Sequence, residues 1–196
     1  MNKKKNNYHH GNLKHDLINA GLKIINEEGI ERLSLRKAAA ICGVSHAAPQ
    51  SHFKDKEEFV DAIKKQVAEE FTEAMQKALD ENLERKHLID DFGIAYIRFF
   101  ENNPDYLIFI INQKDIDIRI SKDKVYDSTY APFQIFQKNS SEVLLAAGIP
   151  QIEISRIIIR LWAIAYGLSA ITVMKGFHYE GDWMDMVSSI INGGRI

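Results

Sequence analysis

Residues 33–59 read LSLRKAAAICGVSHAAPQSHFKDKEEF, and two short helices meeting at one tight corner account for that order. Ser34 is a natural N-cap, because its hydroxyl can accept a first-turn N–H that has no carbonyl partner. The helix it opens runs to Ile41, with Leu35, Ala38 and Ala39 turned inward and Arg36 and Lys37 outward. Gly43 supplies the permissive backbone that ends it, Val44 plugs the corner, and Ser45 stands where it can cap a second, very short helix closed by Phe53. This second helix carries His46, Ala47, Ala48, Gln50, Ser51 and His52. Pro49 would sit at its fourth position and forfeit the first backbone hydrogen bond, so a start one or two residues later is the alternative.

The flanks extend the helical reading. Upstream, Leu13, Leu17, Ile18, Gly21, Leu22 and Ile25 recur at three and four, the stripe of an amphipathic helix that Gly29 ends. Downstream, Asp55 and Glu58 form a capping box, each side chain satisfying the other residue's backbone N–H. Phe59, Ile63, Val67, Phe71, Met75 and Leu79 then step by four along a helix of ~24 residues, about 36 Å long. Further helices are expected over about 88–101, 106–111, 128–147, 150–174 and 183–191, with Gly148 and Pro150 marking one junction and residues 176–182 a turn. Residues 113–127 read as polar and weakly patterned, and no sustained alternation marks a strand. The fold class is all-α: a three-helix head over residues 1–55, and a long helix leading into a helical domain over residues 56–196.

Charge divides along the same line. Residues 1–56 hold ten Lys and Arg against five Asp and Glu, a net +5, and five of the seven histidines; the remainder carries −7. Positive potential gathered at one end suits a phosphate-binding head, because phosphate neutralisation releases condensed counterions. The lone Cys42 cannot form an intramolecular disulfide and no secretory leader is read at the start, so a cytoplasmic setting is expected. Leu161 to Met174 holds fourteen uncharged residues, short of the roughly 20 that span a membrane, and reads as a helix buried in protein.

The ordered positions Gly29, Leu33-Ser34-Leu35, Ala38-Ala39, Gly43-Val44-Ser45, His52-Phe53 and Lys56-Glu57 resemble the DNA-binding head of the TetR family. The resemblance covers the first quarter to third of the chain. It implies that the helix after Gly43 enters the major groove of double-stranded operator DNA, which is wide enough to admit a helix. His46, Gln50 and Ser51 are then candidates for base edges or nearby phosphates, and Ala47 and Ala48 for thymine methyl groups. By the same resemblance Lys56 above all, with Ser34 and Arg36, is a candidate for the phosphate backbone, and Lys37, Ser45 and His52 complete the DNA-binding candidates. Lys3, Lys4 and Lys5 with His9 and His10 read first as a disordered solubilising tail and alternatively as a basic arm that follows a neighbouring groove. One position departs from the family: Gln50 replaces a Tyr usual two residues before His-Phe, and its amide can still donate to phosphate or read adenine.

For the second domain the resemblance implies a small, apolar or amphipathic effector between helices and a homodimer formed through the last two helices. Tyr96, Phe99, Phe100, Tyr106, Phe109, Phe133, Phe136, Trp162 and Tyr166, with Gln137 as a polar hand, are candidates for the pocket. Leu161, Leu168, Ile171, Val187, Ile190 and Ile191 offer a stripe to a second subunit. An enzyme is not expected, since no glycine-rich phosphate loop, Cys-x-x-Cys or His-Glu-x-x-His occurs. Neither cofactor nor metal is called for: Asp90-Asp91 and Asp115-Ile-Asp117 read as solvated carboxylates, and His9, His10 and His15 as surface residues. The sequence therefore points to a ligand-controlled repressor; a helical ligand carrier without DNA binding is the alternative.

Overall fold

The computed structural model describes residues 13–81, 85, 87–113, 116–121 and 128–193; the basic arm and Asp115 lie outside them. Among the described residues there is no strand. The α-helices are α1 (Leu13–Glu28), α2 (Leu35–Ile41), α3 (Lys56–Glu81), α4 (Leu88–Asn102), α5 (Pro104–Ile111), α6 (Ala131–Ala146), α7 (Gln151–Thr172) and α8 (Trp183–Gly193). Two 3-10 turns, Ile30–Arg32 and Ala48–Ser51, complete the helical segments. The chain forms two compact units, one ending at Gln66 and the other beginning at Val67, with α3 running through the division.

In the first unit, Leu17, Ile24, Leu33, Ala38, Ala39, Phe53, Phe59 and Ile63 make an apolar centre in which none is more than 2% exposed. Gly21 lets α1 lie close on α3: a Cβ there would come within 2.6 Å of Phe59 Cζ and 2.8 Å of Ile63 Cδ1. A boundary after residue 55 would remove both partners from the head's core. The step of four along α3 holds from Phe59 to Met75, but Ala78 is then buried and Leu79 only half-buried. A four-residue step overshoots the 3.6-residue turn by about 40°, and one step of three restores the face.

In the second unit α4 is the central element, packed by α5, α6, α7 and α8. Phe92, Ile97 and Phe100 of α4 are at most 1% exposed, and Val187 of α8 is fully enclosed. Val187 therefore belongs to the chain's own core and leaves the expected intersubunit stripe. α6 ends at a Schellman turn in which the Gly148 and Ile149 N–H groups donate to Leu145 and Leu144 carbonyls at 2.9 and 3.0 Å. α7 is long and apolar enough to cross a membrane by length and composition, yet only 22% of its most apolar window is buried within the chain.

Candidate nucleic-acid interface and effector cavity

The corner begins at Ser34, whose Oγ accepts the Lys37 N–H at 3.2 Å and sets the first turn of α2. At the far end Gly43 has φ of +68°, its N–H donates to Ala40 at 3.2 Å, and the Val44 N–H reaches back to Ala39 at 3.0 Å. These two bonds form a Schellman motif, so the direction in which the chain leaves α2 is set by hydrogen bonds.

The next element is a 3-10 turn, where the sequence suggested a short α-helix capped by Ser45. The cause is Pro49. It has no N–H to reach the Ser45 carbonyl, and the Ala48 N–H takes that acceptor instead at 3.0 Å. Gln50 to Ala47 and His52 to Pro49 repeat the three-residue step at 3.1 and 2.9 Å. Ser45 gives a backbone carbonyl, not a side-chain cap; Ala47 occupies the cap position without a side-chain bond.

With three residues per turn, Pro49 and His52 stack on one row and Ala47 and Gln50 on another. Burial follows the rows: Pro49 is buried and His52 half-buried, while Ser45, His46, Ala47, Gln50 and Ser51 are exposed and Ala48 is intermediate. Phe53 anchors the segment, 1% exposed, 4.7 Å from the Phe59 ring centroid and with the Lys14 ammonium 5.9 Å from its own centroid.

Around this polar row, Arg36 and Lys54 are exposed, Lys37 is drawn to the Glu28 carboxylate, and Lys56 Nζ donates to the Glu31 carbonyl at 3.3 Å. The start of α3 is capped as the pairing of Asp55 and Glu58 suggested, with one shift. Asp55 Oδ1 accepts the Glu58 N–H at 2.9 Å, whereas Glu58 Oε2 takes the N–H of Lys54, not of Asp55, at 2.7 Å. Asp55 thus takes one N–H of the first turn, and Glu57 and Glu58 make that turn acidic. Cys42 is buried behind the corner; burial, with Asp16 adding to it, pushes its thiol up and keeps it a poor nucleophile.

The second unit holds a partly open cavity of about 540 Å³ between α3, α4, α5, α6, α7 and α8. Of the aromatic candidates, Tyr96, Phe133, Phe136, Trp162 and Tyr166 line it. Phe99, Phe100, Tyr106, Phe109 and Gln137 do not. Phe99 and Phe100 stack about Phe71 at 4.9 and 4.8 Å, Tyr106 donates to Glu70 at 3.0 Å, and Phe109 is 1% exposed. Gln137 directs Nε2 to the Arg119 carbonyl at 3.0 Å, outside the lining.

That bond helps to hold a wall unforeseen in the sequence. Residues 116–121 run without helix, and Ile116, Ile118 and Ile120 line the cavity while Asp117 and Arg119 are exposed and paired with each other at 2.7 Å. The carbonyls of Asp117, Arg119 and Ser121 accept from Ser128, Gln137 and Ser155 at 3.2, 3.0 and 2.8 Å. The segment is thus extended backbone tied by side chains. Its alternation was present in Ile-Asp-Ile-Arg-Ile, a signal of period two too short to mark a strand. Tyr130, Gln113 and Arg160 are further wall residues that the aromatic pattern did not indicate.

Residues 17–63 match the family model described as bacterial regulatory proteins, tetR family. The head of the chain is thus similar in sequence to the TetR family. The matched span opens within α1 and closes at Ile63, so it takes in the corner, the exposed 3-10 row and the start of α3.

Solved structures share the whole fold. A protein of unknown function from Rhodococcus sp. RHA1 is 22% identical, with 96% of each chain covered and a TM-score of 0.64. A transcriptional regulator of the TetR/AcrR family from Thermobifida fusca YX-ER1 is 16% identical over 93% of this chain and 98% of its own, with a TM-score of 0.59. A TetR-like transcriptional regulator from Rhodococcus sp. RHA1 is 13% identical over 93% and 94%, with a TM-score of 0.60. No curated protein matches the sequence. The chain has a TetR-like all-helical fold.

Proposed function

We propose that this protein is a TetR-family repressor that holds a palindromic operator as a homodimer and releases it when a small molecule occupies the cavity. The observation that carries the reading is the exposed face of Ser45, His46, Ala47, Gln50 and Ser51, set by a hydrogen-bonded corner and backed by buried Pro49 and Phe53. A packed scaffold has no need to turn that face outward.

The homodimer is supported by α7 and α8. Ile152 and Ile159 are 55% and 50% exposed in a single chain, an apolar surface that a second copy would cover, whereas exposed Ile164 and Ile190 also line the cavity. Ala163 is exposed too and a Cβ at Gly167 would meet nothing within 4 Å, which allows two helix backbones to approach. Phe71 and Met75 of α3 line the cavity, so a ligand there bears on the same helix that begins with Lys56. Two recognition rows must match one turn of DNA, about 34 Å. A ligand that favours mis-spaced rows by about 5.5 kcal/mol would take the dimer from almost wholly competent to almost wholly incompetent.

The test is selection of bound DNA from a random pool, followed by operator titration with and without candidate effectors. Enrichment of a palindrome with salt-dependent affinity supports the reading. A pool that stays random, with no retention at low salt, refutes it.

A further inference from the structure

The cavity wall has a chemical bias. Among the described residues the lining is uncharged apart from Arg160, and Arg160 is an exposed residue. The polar groups are the phenols of Tyr96, Tyr130 and Tyr166, the Trp162 indole and the Gln113 amide. Tyr96 is 7% exposed and its oxygen receives the Trp162 N–H, which leaves its own O–H proton to donate. Tyr130 and Tyr166 stand close enough that each further disfavours a charge on Tyr96. Burial pushes the Tyr96 and Tyr130 phenols up, so both remain neutral donors. A ligand carboxylate placed among them would be desolvated without a paired cation, which is costly; a neutral oxygen acceptor would not be.

We propose that this cavity, which the preceding reading makes the effector site, takes an uncharged amphiphile with one carbonyl or ether oxygen held by the Tyr96 and Tyr130 hydroxyls and an apolar body along Ile118, Ile120 and Phe133. At protein-like packing the volume admits roughly 20 non-hydrogen atoms.

The experiment is a DNA-free titration of the full chain carrying Trp183→Phe, which leaves Trp162 as the fluorescent reporter. Trp183 is packed by Phe177 and Tyr179, away from the cavity lining. Three probes of similar length are compared: 2-tridecanone, dodecanoate and tridecane. The ketone is expected to bind most tightly. Tyr96→Phe and Tyr130→Phe should each weaken the ketone roughly three- to tenfold, the worth of one hydrogen bond, and leave tridecane unchanged. Tightest binding of dodecanoate, lost in Arg160→Gln, overturns the proposal in favour of an anion at the rim. Equal binding of all three probes, no binding of any, or ketone affinity indifferent to both phenylalanine variants overturns it as well. Because no DNA is present, these outcomes leave the operator test standing, and failure of operator binding leaves the ligand chemistry measurable.

Discussion

Replacing Gly43 isolates one term of the corner's energy. Its φ is +68° and a Cβ built there meets nothing within 4 Å, so any penalty is the backbone's own and not a clash. An L residue with a Cβ in the left-handed region costs about 1–2 kcal/mol, and the entropy that alanine removes from the unfolded chain returns about 0.4–1 kcal/mol. Gly43→Ala should therefore destabilise the head by about 1 kcal/mol. Gly43→Asn should cost less, because asparagine tolerates that region, and Gly43→Val more, because a branched Cβ does not. For a unit of this size about 1 kcal/mol lowers the melting midpoint by about 4–8 °C. Thermal unfolding of the full chain by circular dichroism, with urea unfolding beside it, reads the series. The expected order of loss is Asn, Ala, Val. Equal losses for Asn and Ala, or no loss for Val, would refute the assignment of the corner to backbone conformation.

Gly21 tests the opposite cause, since its neighbours are side chains: Gly21→Val should cost about 1–3 kcal/mol through overpacking against Phe59 and Ile63, read by urea unfolding, and an unchanged midpoint would remove the close approach from the account. Ile159→Glu, on an exposed face of α7, should shift sedimentation from dimer to monomer by about 2 kcal/mol or more without unfolding the chain; an unaltered mass would put the interface elsewhere. Gln137→Met should lower stability by about 1 kcal/mol through loss of the bond to the Arg119 carbonyl, and a melting curve identical to the parent's would show that the extended wall is held without it. Lys56→Ala should weaken all DNA sequences about equally, whereas Gln50→Ala should also change the sequences recovered by selection; indistinguishable recoveries would deny the two residues separate roles.

The head was legible because its instructions are local. Ser34, Gly43, Asp55 and Glu58 act within three or four residues of themselves, and each hydrogen bond that places them spans that distance. Pro49 was the one local signal whose outcome had two readings. The missing N–H excludes one bond of an α-helix but does not by itself select the replacement. Ala48 makes the choice by donating to Ser45, and this converts a helix into a 3-10 turn with a different exposed row. The candidates on the segment keep their outward position, with Ala48 and His52 set partly inward.

The cavity was only half legible, and the difference lies in what an aromatic residue's periodicity can encode. A phenylalanine at helical spacing announces burial, but burial against protein and burial against an empty volume leave the same pattern in the sequence. Phe99 and Phe100 sit one turn from Tyr96 and still fall to the Phe71 cluster, because α3 supplies a ring on that side of α4. Tyr96 packs on Phe71 as well, at 5.1 Å, and reaches the cavity beside it, where Trp162 and Tyr166 of α7 leave room. What closes that room is the Ile116–Ile120 alternation, whose partners Gln137 and Ser155 come from α6 and α7 and lie 18 and 34 residues away from the carbonyls they hold. A wall fixed by side chains so distant in the chain has no short-range signature beyond its own alternation, and a five-residue alternation gains meaning only once the helices that tie it are in place.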